Sequence, residues 1–251
     1  MRVAALFDVH GNLPALEAVL AEPDVAAADL VVCGGDTVSG PMPRESIALL
    51  RDLGDRLRYV HGNGERAVGA AAGAEPSDDE LLEQARWCAA QLDAETFGFL
   101  AGLPPTVRIG DTLVCHATPR SDEEIVTLVT PPERLRQVFS GVDAALVVGG
   151  HTHSQMERHV DGLRYVNAGS VGMPYEREPG AYWALIAPEV DLRRTEYDLE
   201  AAAARIRATG FPAAAGFAEE YVLSRHSPVE TAPFFEQLAV AKESPATHES
   251  A

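Results

Sequence analysis

The stretch Val3-Ala4-Ala5-Leu6-Phe7-Asp8-Val9-His10-Gly11-Asn12 decides the fold. Its first five residues are an unbroken apolar run, as expected of a strand buried on both faces, and the run stops on a carboxylate, an imidazole and a Gly-Asn turn. An apolar-periodic segment over residues 13–21 then reads as a helix. Working outward, the same unit recurs: residues 30–33 are apolar, Gly34-Gly35 turn the chain before Asp36, and residues 45–53 carry helical periodicity. Residues 57–60 supply another short strand. Strands alternating with helices predict a mainly parallel, buried sheet in an α/β domain.

Residues 65–103 turn polar and helix-forming and read as a helical insertion, with Ser77 ahead of Glu80 as a capping box and Trp87, Leu92, Phe97 and Leu100 as buried anchors. After Pro104 and Pro105 the period shortens, and residues 106–109, 112–115, 145–148, 164–166 and 182–186 predict a second sheet. Residues 198–209 read as a closing helix. The organisation expected is one domain over residues 1–240, in which 188–240 form a C-terminal extension, followed by a disordered tail over 241–251. The extension carries no motif; its Phe211, Phe217, Tyr221, Phe234 and Phe235 would pack a subdomain or an oligomer contact.

Among the 251 residues, 20 are basic and 38 acidic, a net charge of -18 that repels nucleic acid polymers. The cysteines, Cys33, Cys88 and Cys115, form no C-x-x-C pair and imply a reducing compartment. The apolar run before Asp8 is too short for a signal sequence and no later run spans a bilayer, so a cytoplasmic location without a membrane partner is expected. Nothing in the sequence signals an oligomeric state.

The chemistry-bearing residues sit just past the apolar runs, where open α/β sheets bind their ligands. Asp8 and His10 follow the opening strand, Asp36 follows Gly34-Gly35, Asn63 follows Gly62, His116 ends the run through Cys115, and His151 and His153 follow Gly149-Gly150. Singly, each reads as a turn or a buried polar residue. In an extended segment alternate side chains point the same way, so Asp8 with His10 and His151 with His153 are each expected to aim a pair at one point. The neighbouring glycines are expected to absorb positive φ. Four imidazoles, two carboxylates and one amide suit manganese, iron, cobalt, nickel or zinc better than magnesium or calcium.

In this order, Asp8-Val9-His10, Gly35-Asp36, Gly62-Asn63-Gly64-Glu65, His116 and Gly150-His151-Thr152-His153 resemble the motif blocks of the calcineurin-like metallophosphoesterase superfamily. The resemblance covers residues 1–187 and looks closest to the small bacterial and archaeal branch that includes the YfcE-type phosphodiesterases. It implies a four-layer α-β-β-α sandwich of two mixed sheets and two divalent transition-metal ions. Asp8, His10 and His153 would hold one ion, Asn63, His116 and His151 the other, with Asp36 bridging. A metal-bridging hydroxide would attack a small phosphodiester or an activated phosphomonoester, with His10, Asp36 and Asn63 as catalytic residues.

Gly64 stands where many relatives carry a histidine that assists the leaving group, a proton transfer typically contributing about 10²–10⁴-fold. Diesters and activated esters are therefore favoured, His10 is a candidate substitute donor, and Gly64→His is expected to raise monoesterase activity. Glu65 reads as a loop-orienting residue or a plain surface glutamate. Asn167-Ala168-Gly169-Ser170 resembles the family's N-P-G-S turn. Arg120 is a candidate phosphate clamp, set against a structural salt bridge. Two other readings stay open: a nucleotide-specific hydrolase acting on diadenosine tetraphosphate or a cyclic nucleotide, and a non-catalytic metal-binding scaffold like the retromer subunit that shares this fold.

Overall fold

A computed structural model describes residues 1–243. Two five-stranded sheets pack face to face. The first holds β1 (Val3–Leu6), β2 (Leu30–Cys33) and β3 (Leu57–Tyr59) in parallel. β9 (Ala181–Ala187) and β10 (Glu189–Thr195) add antiparallel on the far side of β1, so residues 182–186, expected in the second sheet, belong to the first, where they pair with the opening strand. The second runs in the order β4 (Thr106–Ile109), β5 (Thr112–Cys115), β6 (Leu146–Gly149), β8 (Leu163–Asn167) and β7 (Met156–Val160). Its β5, β6 and β8 are parallel and its edges antiparallel.

Side-chain alternation explains why the opening run is apolar throughout. Val3, Ala5 and Phe7 face Val114 and Val148 of the second sheet and Ala168 just past the end of β8, while Ala4 and Leu6 belong to the core that includes Leu16 and Val19 of α1 (Leu13–Leu20) and Ile47 and Leu50 of α3 (Pro43–Arg51). The second sheet's outer face packs Val147 and Tyr165 with Leu135 and Val138 of α7 (Pro132–Val138). Three cores between four layers make the α-β-β-α sandwich. Each fully buried Leu, Ile or Val contributes about 1.5–3 kcal/mol.

The insertion consists of α4 (Asn63–Ala71), α5 (Glu80–Gln91) and α6 (Ala94–Ala101). Its expected capping box is replaced: Asp79 caps α5 by accepting from the Leu81 and Leu82 amides, while the Ser77 hydroxyl accepts from Asp79 N. Of its expected anchors Leu100 is buried, and Trp87, Leu92 and Phe97 are partly buried against the main core. Short α2 (Pro23–Ala26) and the strands β7 and β10 were not expected from the sequence, the strands because their solvent faces are charged.

Residues 188–240 are continuous with the rest of the fold. They supply β10, then α8 (Leu199–Arg207), α9 (Ala214–Phe217), a π-helix over Ala218–Leu223 and α10 (Pro228–Glu243). Phe211 and Phe217 are buried in the main core, whereas Phe234 is exposed. Of the expected disordered tail, residues 241–243 complete α10, and 244–251 lie outside the described residues. Among the described residues, no helix is long and apolar enough to cross a membrane.

Candidate metal centre

All seven motif residues converge at the carboxyl ends of β1, β2, β3, β5 and β6, in the cleft where the two sheets meet. They get there by a backbone route different from the extended one expected. Asp8, His10, Asp36, His151 and His153 have φ of 53°, 46°, 52°, 68° and 56°. Side chains with a Cβ avoid this left-handed region at a cost of about 1–3 kcal/mol each, and such residues cluster at functional sites. The strain therefore falls on these residues themselves. Gly11 (φ 59°) and Gly35 (φ 98°) take positive φ without that cost, as expected of the neighbouring glycines, but Gly62 and Gly64 serve close approach instead. A Cβ on Gly62 would lie 2.2 Å from Asp36 Oδ1.

Hydrogen bonds hold the strained turns. Asp8 N donates to the Gly35 carbonyl (3.2 Å) and His10 N to the Asp36 carbonyl (2.8 Å). The Asp8 carbonyl accepts from the Ser170 hydroxyl (2.7 Å) and Gly172 N (3.0 Å). Ser170 thus clamps Asp8, and Asn167 braces the same turn by accepting from Gly169 N and donating to the Gly150 carbonyl. Glu65 is buried, and its carboxylate accepts from the amides of Asp36 (2.8 Å), Thr37 (2.7 Å) and Gly62 (2.8 Å). It is the loop-orienting residue, not a surface glutamate.

The donor set faces inward. His10 Nδ1 donates to the Ser39 carbonyl (3.0 Å), with Ser39 Oγ at 2.9 Å. His153 Nδ1 donates to the Met173 carbonyl and His116 Nδ1 to the Gly34 carbonyl, both at 2.8 Å. A carbonyl only accepts, so each Nδ1 carries a proton, and in the neutral ring Nε2 is the lone-pair nitrogen turned toward the site. Yet His10 Nε2 and His153 Nε2 lie 3.2 Å apart, and His116 Nε2 faces Asn63 Oδ1 at 3.0 Å. Buried lone pairs facing each other are unfavourable unless a cation lies between them. Asp8 Oδ1 is buried without a hydrogen-bond partner, 3.5 Å from His153 Nε2 and 3.9 Å from His116 Nδ1.

Among the described residues, two clusters can hold a metal ion, Asp8 with His10 and His153, and Asp8 with Asp36 and His116. Asp36 looks both ways, with Oδ2 3.7 Å from His10 Nε2 and Oδ1 3.6 Å from His116 Nε2. His151 stands beside them, its ring 5.2 Å from that of His116 and its amide donating to Asp8 Oδ2. Burial, then the nearby His116, pushes His151 down to about 4. Burial and His153 likewise lower His10. Burial opposes the Asp8 charge, but His153, His116 and His10 outweigh it and hold the carboxyl well below its usual range. His116 goes the other way: burial opposes its charge, but Asp36 and Asp8 outweigh it and raise its pKa, so an ion there must displace a proton, because neutral imidazoles and ionised carboxylates are the forms that bind metals.

Other expectations are corrected. With Nδ1 bound to Ser39 and Nε2 turned to His153, His10 has no nitrogen left to protonate a leaving group. A Cβ on Gly64 would stand 2.5 Å from Ser39 Oγ and 2.8 Å from Asp36 Oδ1, so Gly64→His displaces these groups before it can add chemistry. Arg120 donates to the Glu124 carboxylate (Nε, 3.0 Å) and the Gln137 carbonyl (2.9 Å), the salt-bridge arrangement and not a phosphate clamp. Cys33 and Cys115 are buried core residues, and burial pushes the Cys33 thiol up to about 12.

Two residues had no sequence signal. Ser39 orients His10, and Tyr175 stacks on His153 with ring centroids 5.6 Å apart. Tyr175 also meets Tyr221, His226 and Phe235, tying the C-terminal helices to the site. A cavity of about 470 Å³ opens beside His10, Asp36 and Asn63.

The calcineurin-like phosphoesterase superfamily domain matches residues 1–188. An uncharacterized protein of Methanocaldococcus jannaschii is 26% identical over 227 residues, covering 81% of this chain and 91% of the relative. The crystal structure of a metallophosphoesterase from Sphaerobacter thermophilus superposes with a TM-score of 0.75 at 29% identity, over 88% of this chain and 99% of that one. A hypothetical protein from Pyrococcus horikoshii shares the fold at a TM-score of 0.75 and 21% identity, over 89% and 99% of the two chains.

Proposed function

The chain belongs to the calcineurin-like phosphoesterase superfamily, and from that premise we propose that it hydrolyses small phosphodiesters or activated phosphomonoesters at a centre of two divalent transition-metal ions. Asp8, His10 and His153 would hold one ion, Asn63, His116 and His151 the other, with Asp36 between them. The observation that carries this reading is the opposed Nε2 atoms of His10 and His153 at 3.2 Å beside the unpartnered Asp8 Oδ1. Two such ions supply Lewis acidity toward the phosphoryl oxygens and a water that ionises near pH 7.

The chain's own groups do the positioning. Glu65 and the Gly64 amide, which donates to Asp36 Oδ1 at 2.6 Å, fix the Asp36 carboxylate. Ser39, Met173 and Gly34 orient three imidazoles with Nε2 toward the ions. Asn63 opens α4 at the cavity mouth, placed to orient the ester. None of these groups is free to protonate a leaving oxygen, which favours esters with stable leaving groups. Manganese is a suitable ion, and a cytoplasmic setting suits the three unpaired cysteines.

The test is a metal screen. Chelated protein should lose turnover of bis-p-nitrophenyl phosphate, regain it with manganese, nickel, cobalt or zinc, and prefer that diester to p-nitrophenyl phosphate. Turnover that survives chelation, or that persists in Asp36→Asn, would overturn the mechanism.

A further inference from the structure

The 470 Å³ cavity beside His10, Asp36 and Asn63 is shaped by the segments that carry no family motif. Val68, Leu81 and Ala85 of α4 and α5 form one wall, and Phe211, Phe217 and Tyr221 of the C-terminal segment form the other. Its size falls in the range of small-molecule sites. The polar lining beyond the motif residues includes Ser39, Gln84 and Glu220, and among the described residues no Lys or Arg lines it. Glu220 is exposed, as is Leu81 at 76%, so both stand at the rim.

An ester whose phosphoryl group is held at the metal centre beside Asp36 and Asn63 would send an organic substituent toward this space. Beyond the metal centre, a polyphosphate there would meet, among the described residues, no Lys or Arg and one additional carboxylate, in a chain of net charge -18. We propose that the cavity is a subsite for an uncharged, predominantly apolar ester group of aryl or branched-alkyl type, and that the insertion and the C-terminal helices set substrate choice through it. This rests on the phosphoesterase reading. In the hydrolysis, the P–O bond to the leaving oxygen breaks, one from a water oxygen forms, and a water proton ends on the released alcohol or phenol. The same surroundings disfavour a diadenosine tetraphosphate-like substrate.

The test uses non-hydrolysable probes on the manganese-loaded full chain, measured by calorimetry and as competition with bis-p-nitrophenyl phosphate turnover. Inorganic phosphate and methylphosphonate should bind alike, phenylphosphonate about tenfold or more tightly, and 2-carboxyethylphosphonate no better than methylphosphonate. Ala85→Phe, which fills the cavity, should erase the phenyl preference. Leu81→Glu, at an exposed position, should weaken phenylphosphonate and leave inorganic phosphate within about twofold. Equal affinity for the methyl and phenyl probes, or a phenyl preference untouched by both variants, would overturn the subsite. Failure of inorganic phosphate itself to bind would instead overturn the metal-site reading beneath it.

Discussion

Replacing Glu65 separates the site's scaffold from its ligands, because Glu65 sits behind Asp36. Its two oxygens satisfy three buried amides, those of Asp36, Thr37 and Gly62, at 2.7–2.8 Å. A buried donor left unsatisfied costs about 1–3 kcal/mol, so Glu65→Ala costs roughly 3–9 kcal/mol if nothing replaces the carboxylate. Water entering the vacated polar space recovers part, which leaves about 3–5 kcal/mol, a large share of a domain's 5–15 kcal/mol. Burial opposes the Glu65 charge and raises its pKa, yet the amides are matched by the ionised form. Glu65→Gln keeps one acceptor and turns an NH₂ toward a backbone N–H, for a loss of about 1.5–3 kcal/mol. Urea denaturation of the metal-free variants measures both. Metal titration of Glu65→Gln should show about 10–100-fold weaker binding, the cost of losing an outer partner of a ligand. Stability within about 1 kcal/mol of wild type in Glu65→Ala, together with unchanged metal affinity in Glu65→Gln, would refute the reasoning.

Gly64→Ala should lower metal-dependent turnover, since the new Cβ meets Ser39 Oγ and Asp36 Oδ1; equal or higher turnover would show that the loop yields freely. Tyr175→Ala should weaken metal binding and cost about 2–3 kcal/mol of unfolding free energy, while Tyr175→Phe keeps the ring on His153 and stays near wild-type affinity. Burial raises the Glu176 carboxyl from 4.5 to about 7. The folded state therefore holds this proton more tightly than the unfolded chain, so its contribution is full below about 4.5 and fades as pH rises through about 7. Glu176→Gln, which can still accept from Gln155 N, should flatten that decline in a stability-against-pH series. An unchanged slope would remove Glu176 as its source.

A buried, mainly parallel sheet was legible because strands such as residues 3–7 and 30–33 are apolar on both faces, a pattern that burial between two layers demands, whereas the four-layer sandwich came from the motif resemblance. β7 and β10 escaped because Glu157, His159, Asp191 and Arg193 face solvent at sheet edges and break the apolar signal. At the site, residue types and order were readable. The conformation was not: extended alternation would have paired Asp8 with His10, but the chain places them through left-handed turns stabilised by hydrogen bonds from Ser170 and Gly172 and to the Gly35 carbonyl, all far away in sequence. The carbonyls of Ser39, Met173 and Gly34 that orient the imidazoles belong to the backbone and leave no trace in side-chain identity. Arg120 resembled a phosphate clamp because its partner Glu124, four residues on, belonged to no motif.

The most direct test of the central claim is metal stoichiometry, measured by elemental analysis after dialysis of chelated protein against excess manganese. The account predicts two ions per chain in wild type, a reduced count in Asp36→Asn, and diester turnover that rises with occupancy. Less than one ion per chain, or turnover independent of how many are bound, would contradict it.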